Sequence, residues 1–152
     1  MSANIKNVSK VLLSIYILGV IYFTLFWKGS SFSEEYNLQL NLIPLYWLLE
    51  PILVGKDFYL DQVILNIIMF VPLGALLPII IKKCSVNKIL LIGMASSLSI
   101  ELVQPFFNRC SDIDDLILNI LGALIGFYCF KVYANIKSCR LLSYHKNKMA
   151  HI

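Results

Sequence analysis

The stretch SLSIELVQPFFNRCSDIDDLILNILGALIG, residues 97–126, sets a cluster of charged and amide side chains between two long apolar segments. Apolar segments of this kind predict two membrane-spanning helices joined by a short polar connection. Charged side chains are costly to hold near lipid, and in membrane proteins they mostly face the protein interior or a water-filled cavity. The residues of this connection are therefore candidates for a functional site.

The composition of the whole chain also favours a membrane protein. Hydrophobic residues make up 59% of the 152 positions and charged residues 14%, whereas roughly 25% of the residues of a soluble domain are charged. Crossing the hydrocarbon core takes about 17 to 25 apolar residues. Four such segments predict an all-α, polytopic membrane protein with four transmembrane helices in a single domain over residues 1–152: about 11–27, 62–81, 89–107 and 116–132.

The Lys and Arg residues are distributed unequally over the five flanks of these spans. Ten of the 13 lie in the first, third and fifth flanks, and three lie in the other two. The positive-inside rule therefore predicts cytoplasmic N- and C-termini, an extracytoplasmic loop at 28–61 and a solvated cytoplasmic tail at 133–152. Orientation and attraction to anionic membrane lipids account for the basic tail, so we expect no nucleic-acid partner.

Polar residues recur on one face of three predicted spans, because residues three or four apart on a helix share a face. The third span carries Gly93, Ser97, Glu101 and Gln104. The fourth carries Asp112, Asp115, Asn119, Gly122 and Gly126. Asn66 of the second span lies at a similar depth. We therefore predict an outer-facing polar pocket, in which Glu101 faces the bundle interior and pairs with Arg109, an amide or water.

Simpler roles account for part of this pattern. Gly122 and Gly126 form a small-xxx-small pair, for which close helix packing is the favoured interpretation. Asp112 is a candidate cap for the fourth helix, whose positive end favours acidic neighbours. Capping does not account for Glu101 and the amides below the surface, so the pocket is the favoured interpretation. Asp114 lies off the polar face, and we expect it to be solvated.

The loop before the second span contains LYWLLEPILVG, residues 45–55. Its aromatic residues Tyr46 and Trp47 are suited to the headgroup region of a membrane, where we expect them to anchor the loop. Pro51 is expected to end a short helix, because proline lacks the backbone N–H that continues one.

Three blocks of sequence resemble one known family. They are NLIP at 41–44, NIIMFVPLG at 66–74 and SIELVQPFFNRCSDIDDLILNILGALIG at 99–126. In these blocks the chain is similar to the VanZ-like family of small bacterial membrane proteins. The last block is the most specific, because several polar residues and a glycine must all match at set spacings.

The resemblance implies a multi-pass protein of the bacterial cytoplasmic membrane with a role in the cell envelope. It also implies an antibiotic-resistance phenotype, namely lowered susceptibility to teicoplanin-type glycopeptides. It implies no particular reaction.

The residue types at the predicted outer face exclude several kinds of chemistry. Both histidines, His145 and His151, lie in the tail, so a nucleophilic serine or cysteine with a histidine base is not expected. The four cysteines fall on both predicted sides, so no disulfide framework is expected. The polar residues offer oxygen ligands suited to Mg²⁺ or Ca²⁺ and not to zinc. No metal is assigned, and the sequence leaves the cofactor open.

The candidate residues divide by chemistry into two groups. Carboxylates that meet in a partly dry site are suited to general acid and base chemistry or to proton relay. The candidate catalytic residues are therefore Glu101, Asp112 and Asp115. The candidate substrate-binding residues are the amides and the arginine, whose guanidinium suits phosphate: Asn66, Gln104, Arg109 and Asn119.

Three functions fit this set of residues. The first is a protein that binds or acts on a cell-envelope lipid, such as a lipid-linked or polyprenyl phosphate precursor at the outer leaflet. The second is a non-catalytic binding module that alters antibiotic access. The third is a small proton-coupled transporter. The sequence leaves open whether a reaction is catalysed, what the substrate or ligand is, whether this member confers antibiotic resistance, whether a hard cation is bound and how many copies assemble.

Overall fold

The computed structural model describes residues 3–26, 40–55, 58, 60–107 and 109–149. Within these ranges the chain forms five α-helices: α1 Ala3–Phe26, α2 Tyr46–Val54, α3 Leu60–Ile80, α4 Val86–Val103 and α5 Ile113–Met149. A 3₁₀ turn, Gln104–Phe107, follows α4. Two strands of two residues each, β1 Leu40–Asn41 and β2 Ser111–Asp112, precede α2 and α5.

Four helical segments in the described ranges are long and apolar enough to cross a membrane. They are Asn4–Phe26, Leu60–Ile80, Val86–Phe107 and Ile113–Arg140. The prediction of an all-α protein with four membrane-spanning helices is confirmed as far as the length and composition of the helices are concerned. Each segment matches one of the four apolar stretches, because segment hydrophobicity and length decide which helices can span a bilayer.

The last helix is much longer than the predicted span 116–132. It runs from Ile113 to Met149, and no glycine or proline follows Gly126 to interrupt its backbone hydrogen bonds. Charge ends the apolar segment near Lys131 but does not end the helix, because lysine and arginine are good helix formers. Most of the predicted tail therefore continues α5.

Helices α3 and α5 pack with their backbones in contact. A Cβ atom added to Gly122 would overlap the carbonyl group of Ile67, and Gly126 is equally close to α3. From the other side, a Cβ atom on Gly74 would overlap the carbonyl group of Ala123. The predicted close packing at Gly122 and Gly126 is confirmed. The core surrounds this contact and consists of Phe70, Leu73, Leu77, Ile89, Ala123 and Phe127.

Helix α1 is the least buried of the four spanning helices. Only 11% of its most apolar window is buried, against 28% to 33% in the other three. Hydrogen bonds to other described parts of the chain help to hold it in place. The Tyr16 hydroxyl donates to the Met69 carbonyl of α3 at 2.7 Å, and the Arg109 guanidinium donates to the Thr24 carbonyl at 2.6 Å. The second bond ties α1 to the connection between α4 and α5.

The described part of the 28–61 loop docks on the start of α5. Strand β1 pairs in parallel with β2, which places Asn41 opposite Asp112. Leu45 adopts a left-handed conformation with φ of 61°, and its N–H donates to the Asp114 carboxylate at 2.6 Å. These contacts position the loop beside the polar residues of the α4–α5 connection.

Helix α2 does not end at the predicted residue. Pro51 lies inside the helix, and the prediction that it ends the helix is wrong. The helix ends at Gly55, whose φ of 72° is the left-handed conformation that glycine favours and whose N–H donates to the Pro51 carbonyl. Tyr46 begins the helix, whereas the side chain of Trp47 lies outside the described residues.

Candidate functional site

Glu101 connects the end of α4 to the start of α5. Its side chain is 7% exposed, and one carboxylate oxygen accepts the backbone N–H of Asp112 at 2.8 Å. Its own backbone carbonyl accepts the hydroxyl of Ser111. The sequence analysis expected this carboxylate to pair with Arg109, an amide or water. The partner in the structure is the backbone amide of Asp112. Arg109 instead donates to Thr24 of α1.

Asp112 occupies the capping position of α5. One of its carboxylate oxygens accepts the N–H of Asp114 at 2.8 Å, which is the geometry of an N-cap. The other oxygen accepts the side-chain amide of Asn41 at 3.0 Å. The capping role considered from the sequence is therefore confirmed, and both oxygens of this carboxylate have partners.

Asp114 is buried, contrary to the expectation that it is solvated. Only 3% of its surface is exposed, and its carboxylate accepts the N–H of Leu45. The prediction was wrong because it considered only the face that Asp114 presents on α5. The loop covers that face, and helical periodicity carries no information about a loop that docks from outside the helix.

Two amide side chains join α5 to its neighbouring helices. Asn66 of α3 donates to the Asp115 carboxylate. Asn119 donates to the Ser97 hydroxyl of α4 at 2.9 Å, and both of these side chains are almost fully buried. Three helices are thus connected through polar side chains at neighbouring levels, and hydrogen bonds of this kind hold transmembrane helices together.

A cavity of about 170 Å³ lies between these helices, and we call it the amide cavity. Six of the seven candidate site residues line it: Asn66, Glu101, Gln104, Arg109, Asp115 and Asn119. Thr24 and Ile100 complete part of its wall. Asp112 is the candidate that does not line this cavity. Its place is in the neighbouring cavity, described next.

The second cavity, of about 470 Å³, lies between the loop and the start of α5, and we call it the acidic cavity. Within the described part of the chain, the carboxylates that line it are Glu50, Asp112, Asp114 and Asp115. Gln62 and Asp115 line both cavities, which therefore adjoin. Among the described residues, no group of three or more His, Cys, Asp or Glu side chains is arranged to hold a metal ion.

The lining of the two cavities includes polar residues that the sequence analysis missed. Gln62 precedes Asn66 by four residues on α3, so the rule of helix faces was sufficient to find it. Asn41 belongs to the NLIP block, but its contact with Asp112 depends on strand pairing between distant segments. Glu50 has no comparable signal in the sequence, because its position follows from how the loop docks.

Two residues that line the amide cavity, Gln104 and Asn119, each have a buried side-chain oxygen atom. The side-chain carbonyls of Gln104 and Asn119 are buried and have no hydrogen-bond partner among the described residues. Gln104 is 5% exposed and Asn119 is 2% exposed. A buried acceptor without a donor costs about 1 to 3 kcal/mol. The cavity is therefore suited to a group that donates hydrogen bonds, such as a hydroxyl, an amine or water.

Arg109 adds a positive charge to the same cavity. Its backbone N–H donates to the backbone carbonyl of Gln104 at 3.2 Å, and this bond holds the chain in place after the 3₁₀ turn. Its guanidinium carries five N–H groups in a fixed fork, one of which donates to Thr24. Guanidinium groups of this kind are suited to phosphate and carboxylate ligands. The lining of the amide cavity thus combines a guanidinium group with amide and carboxylate side chains.

Comparison with known proteins identifies similar sequences. The model of the VanZ/LLP1 family matches residues 11–134. Protein VanZ of Enterococcus faecium is 27% identical to this chain over 122 residues, which cover 80% of this chain and 72% of the relative. No solved structure matches the chain. The matched range includes every residue that lines the amide cavity.

Proposed function

We propose that this chain, which belongs to the VanZ/LLP1 family, binds the headgroup of a cell-envelope lipid or lipid-linked precursor in the amide cavity. By this binding it lowers the susceptibility of the bacterium to teicoplanin-type glycopeptide antibiotics. The observation that carries the proposal is the pair of buried carbonyl oxygens of Gln104 and Asn119, which have no hydrogen-bond partner within the described ranges. Both residues line a cavity that Arg109 also lines.

The chemistry of the cavity supports a phosphate that carries hydroxyl groups. Hydroxyl donors would satisfy the oxygens of Gln104 and Asn119, and Arg109 would bind the phosphate. The amide cavity is smaller than the roughly 300 to 1,000 Å³ typical of small-molecule sites. The larger acidic cavity adjoins it through Gln62 and Asp115 and provides room for the remainder of a headgroup.

A second candidate function is turnover of the same ligand. Its support is that two carboxylates, Glu101 and Asp115, line the amide cavity together. Each is oriented by a donor, Glu101 by the N–H of Asp112 and Asp115 by the amide of Asn66. Two oriented carboxylates beside one ligand are an arrangement suited to acid and base catalysis.

We further propose that the protein lies in the bacterial cytoplasmic membrane with both termini in the cytoplasm. The excess of basic residues in alternate flanks supports this orientation. The docked loop and the α4–α5 connection then face the cell exterior, where glycopeptides act. The residues that line the two cavities lie at that end of the bundle.

The native cysteines provide a test of the orientation. In intact cells, we expect a membrane-impermeant maleimide to label Cys110, and to label Cys84 and Cys139 only after permeabilisation.

The rate of Cys110 labelling should also depend on pH. Burial, followed by the charge of Asp112, raises the pKa of the Cys110 thiol above its usual value. Because the thiolate is the reactive form, the rate of labelling should rise about tenfold for each unit by which the pH is increased, as long as the pH stays below that pKa. Cys110→Ser should remove the signal, and labelling of Cys84 or Cys139 in intact cells would reject the orientation.

The role of the amide cavity is tested by Asn119→Leu, with Asn87→Leu as the matched control. Asn87 is exposed near the start of α4, so its replacement leaves the cavity unchanged. We expect Asn119→Leu to weaken binding of phosphatidylglycerol, a lipid phosphate that carries hydroxyl groups, to the purified protein by roughly tenfold, since one lost hydrogen bond is worth about 0.5 to 1.5 kcal/mol. The teicoplanin resistance conferred by the wild-type chain in a Gram-positive host should fall in parallel.

The same preparation separates binding from turnover. Mass analysis of a lipid-linked precursor after incubation shows an unchanged mass for binding and a new product for turnover, and Glu101→Gln should abolish such a product. Full binding and resistance in Asn119→Leu, with the protein correctly inserted, would show that the amide cavity is not the binding site.

A further inference from the structure

A groove of about 400 Å³ runs between α1 and α4, with α3 at its base. Ile17 and Ile21 of α1 form one wall, Val103 is part of the other wall, and Phe70 of α3 lies at the base. Both walls belong to helices that are long and apolar enough to span a membrane. The medium around the groove is therefore the hydrocarbon of the bilayer.

The lining of the groove contains few polar groups that need a hydrogen bond from a ligand. The hydroxyl of Thr24 donates to the carbonyl of Val20, and that of Ser99 donates to the carbonyl of Ala95, so both are satisfied within their own helices. The remaining lining is largely aliphatic and aromatic. A hydrocarbon chain fits such a surface without leaving polar groups unpaired.

The groove adjoins the amide cavity. Thr24 and Ile100 line both of them. Arg109, which lines the amide cavity, donates to the Thr24 carbonyl and so fixes the junction. At its other end the groove reaches Tyr16, whose hydroxyl holds α1 to α3. A molecule at the Thr24 end of the groove therefore lies next to the amide cavity, whose lining includes Arg109, Gln104 and Asn119.

We propose that the α1–α4 groove holds the hydrocarbon chain of the lipid whose headgroup occupies the amide cavity. The ligand is then one lipid phosphate with hydroxyl groups, bound by its chain and its headgroup together, and not a soluble headgroup. This inference rests on the proposed function for the headgroup and adds the site of the chain. It also gives a reason for the shallow packing of α1, because closer packing against α4 would fill the groove.

The groove is tested with the full-length protein in lipid nanodiscs. The probe is a phosphatidylglycerol with a photoreactive diazirine midway along one acyl chain, and mass mapping of peptides locates the crosslinks. We expect crosslinks to concentrate on groove-lining residues such as Ile17, Ile21 and Val103. Crosslinks spread evenly over the exposed faces of α1 and α4 would overturn the proposal.

Filling the groove supplies the decisive comparison. Ser96 lines the groove, whereas its neighbour Ala95 is exposed and lies outside it. We expect Ser96→Phe to reduce crosslinking in the groove by roughly tenfold, since displacing two buried methylenes is sufficient for that loss. Ala95→Phe should leave it unchanged. If Ser96→Phe does not fold, Ile17→Trp replaces it as the filled variant, because it fills the groove from α1, the least buried of the spanning helices. Equal crosslinking in the filled and control variants would overturn the proposal.

A separate measurement distinguishes failure of this inference from failure of the proposed function. Binding of glycerol 1-phosphate, which has a phosphate and hydroxyl groups but no chain, reports on the amide cavity alone. If it binds and Asn119→Leu weakens it while groove crosslinking is absent, the chain site is rejected and the headgroup site stands. If it does not bind and Asn119→Leu has no effect on groove crosslinking, the headgroup site is rejected, and with it the inference that rests on it.

Discussion

Replacing Gly122 with alanine should lower the free energy of unfolding by about 1 to 3 kcal/mol or more, the usual cost of overpacking. A Cβ atom at this position would overlap the carbonyl group of Ile67 on α3. A backbone carbonyl cannot turn aside as the end of a flexible side chain can, so the two helices must separate. Gly126→Ala and Gly74→Ala should have comparable effects, because their added Cβ atoms also meet backbone.

Gly19→Ala is the matched control for these substitutions. Gly19 also lies in a spanning helix, but a Cβ atom there would meet nothing within 4 Å. The measurement is the midpoint of unfolding in a denaturing detergent, and only the three glycines of the α3–α5 contact should shift it. Equal midpoints for Gly122→Ala and Gly19→Ala would show that the helices do not pack as closely as the structure indicates.

The same contact controls the geometry of the amide cavity. Asn66 lies one residue before Ile67, and its amide donates to Asp115 across the α3–α5 contact. Separation of the helices should therefore weaken this hydrogen bond as well as the fold. We expect Gly122→Ala to lose ligand binding even at temperatures where it remains folded.

Asp114→Ala should release the loop from the start of α5. The buried Asp114 carboxylate accepts the N–H of Leu45, which directly precedes α2 and has a left-handed backbone conformation. A hydrogen bond to a charged group is worth about 1.5 to 3 kcal/mol. Its loss should raise the rate of amide hydrogen exchange in residues 40–55, with little change in the spanning helices.

Asp61→Ala is the control for this second prediction. Asp61 is an exposed carboxylate in the first turn of α3, so its replacement removes the same charge without removing the contact to the loop. Exchange in residues 40–55 should be the same as in the wild type. If Asp114→Ala also leaves exchange unchanged, the loop is held by other contacts and the carboxylate is not its anchor.

The candidate site was partly predictable from sequence, and particular residues show where prediction ends. The spacing of Asp115 and Asn119 on one helix indicates a shared face, and both line the amide cavity. The partner of Glu101 was not predictable, because the N–H of Asp112 follows a turn whose geometry depends on packing. The burial of Asp114 was predicted wrongly, since the loop that covers it lies about 70 residues earlier in the chain.

The amino-acid sequence by itself determined how many helices can span the bilayer and which polar residues share a helix face. Both properties are local, because transfer into lipid depends on the composition of one segment and helical periodicity depends on hydrogen bonds within four residues. Only the tertiary structure decided that the polar faces enclose a cavity, that a groove adjoins it, and that the loop covers Asp114. It also decided that two residues of the cavity lining have side-chain oxygens with no partner among the residues that the structure describes. These features depend on contacts between segments far apart in the chain, and no period of a single helix specifies them.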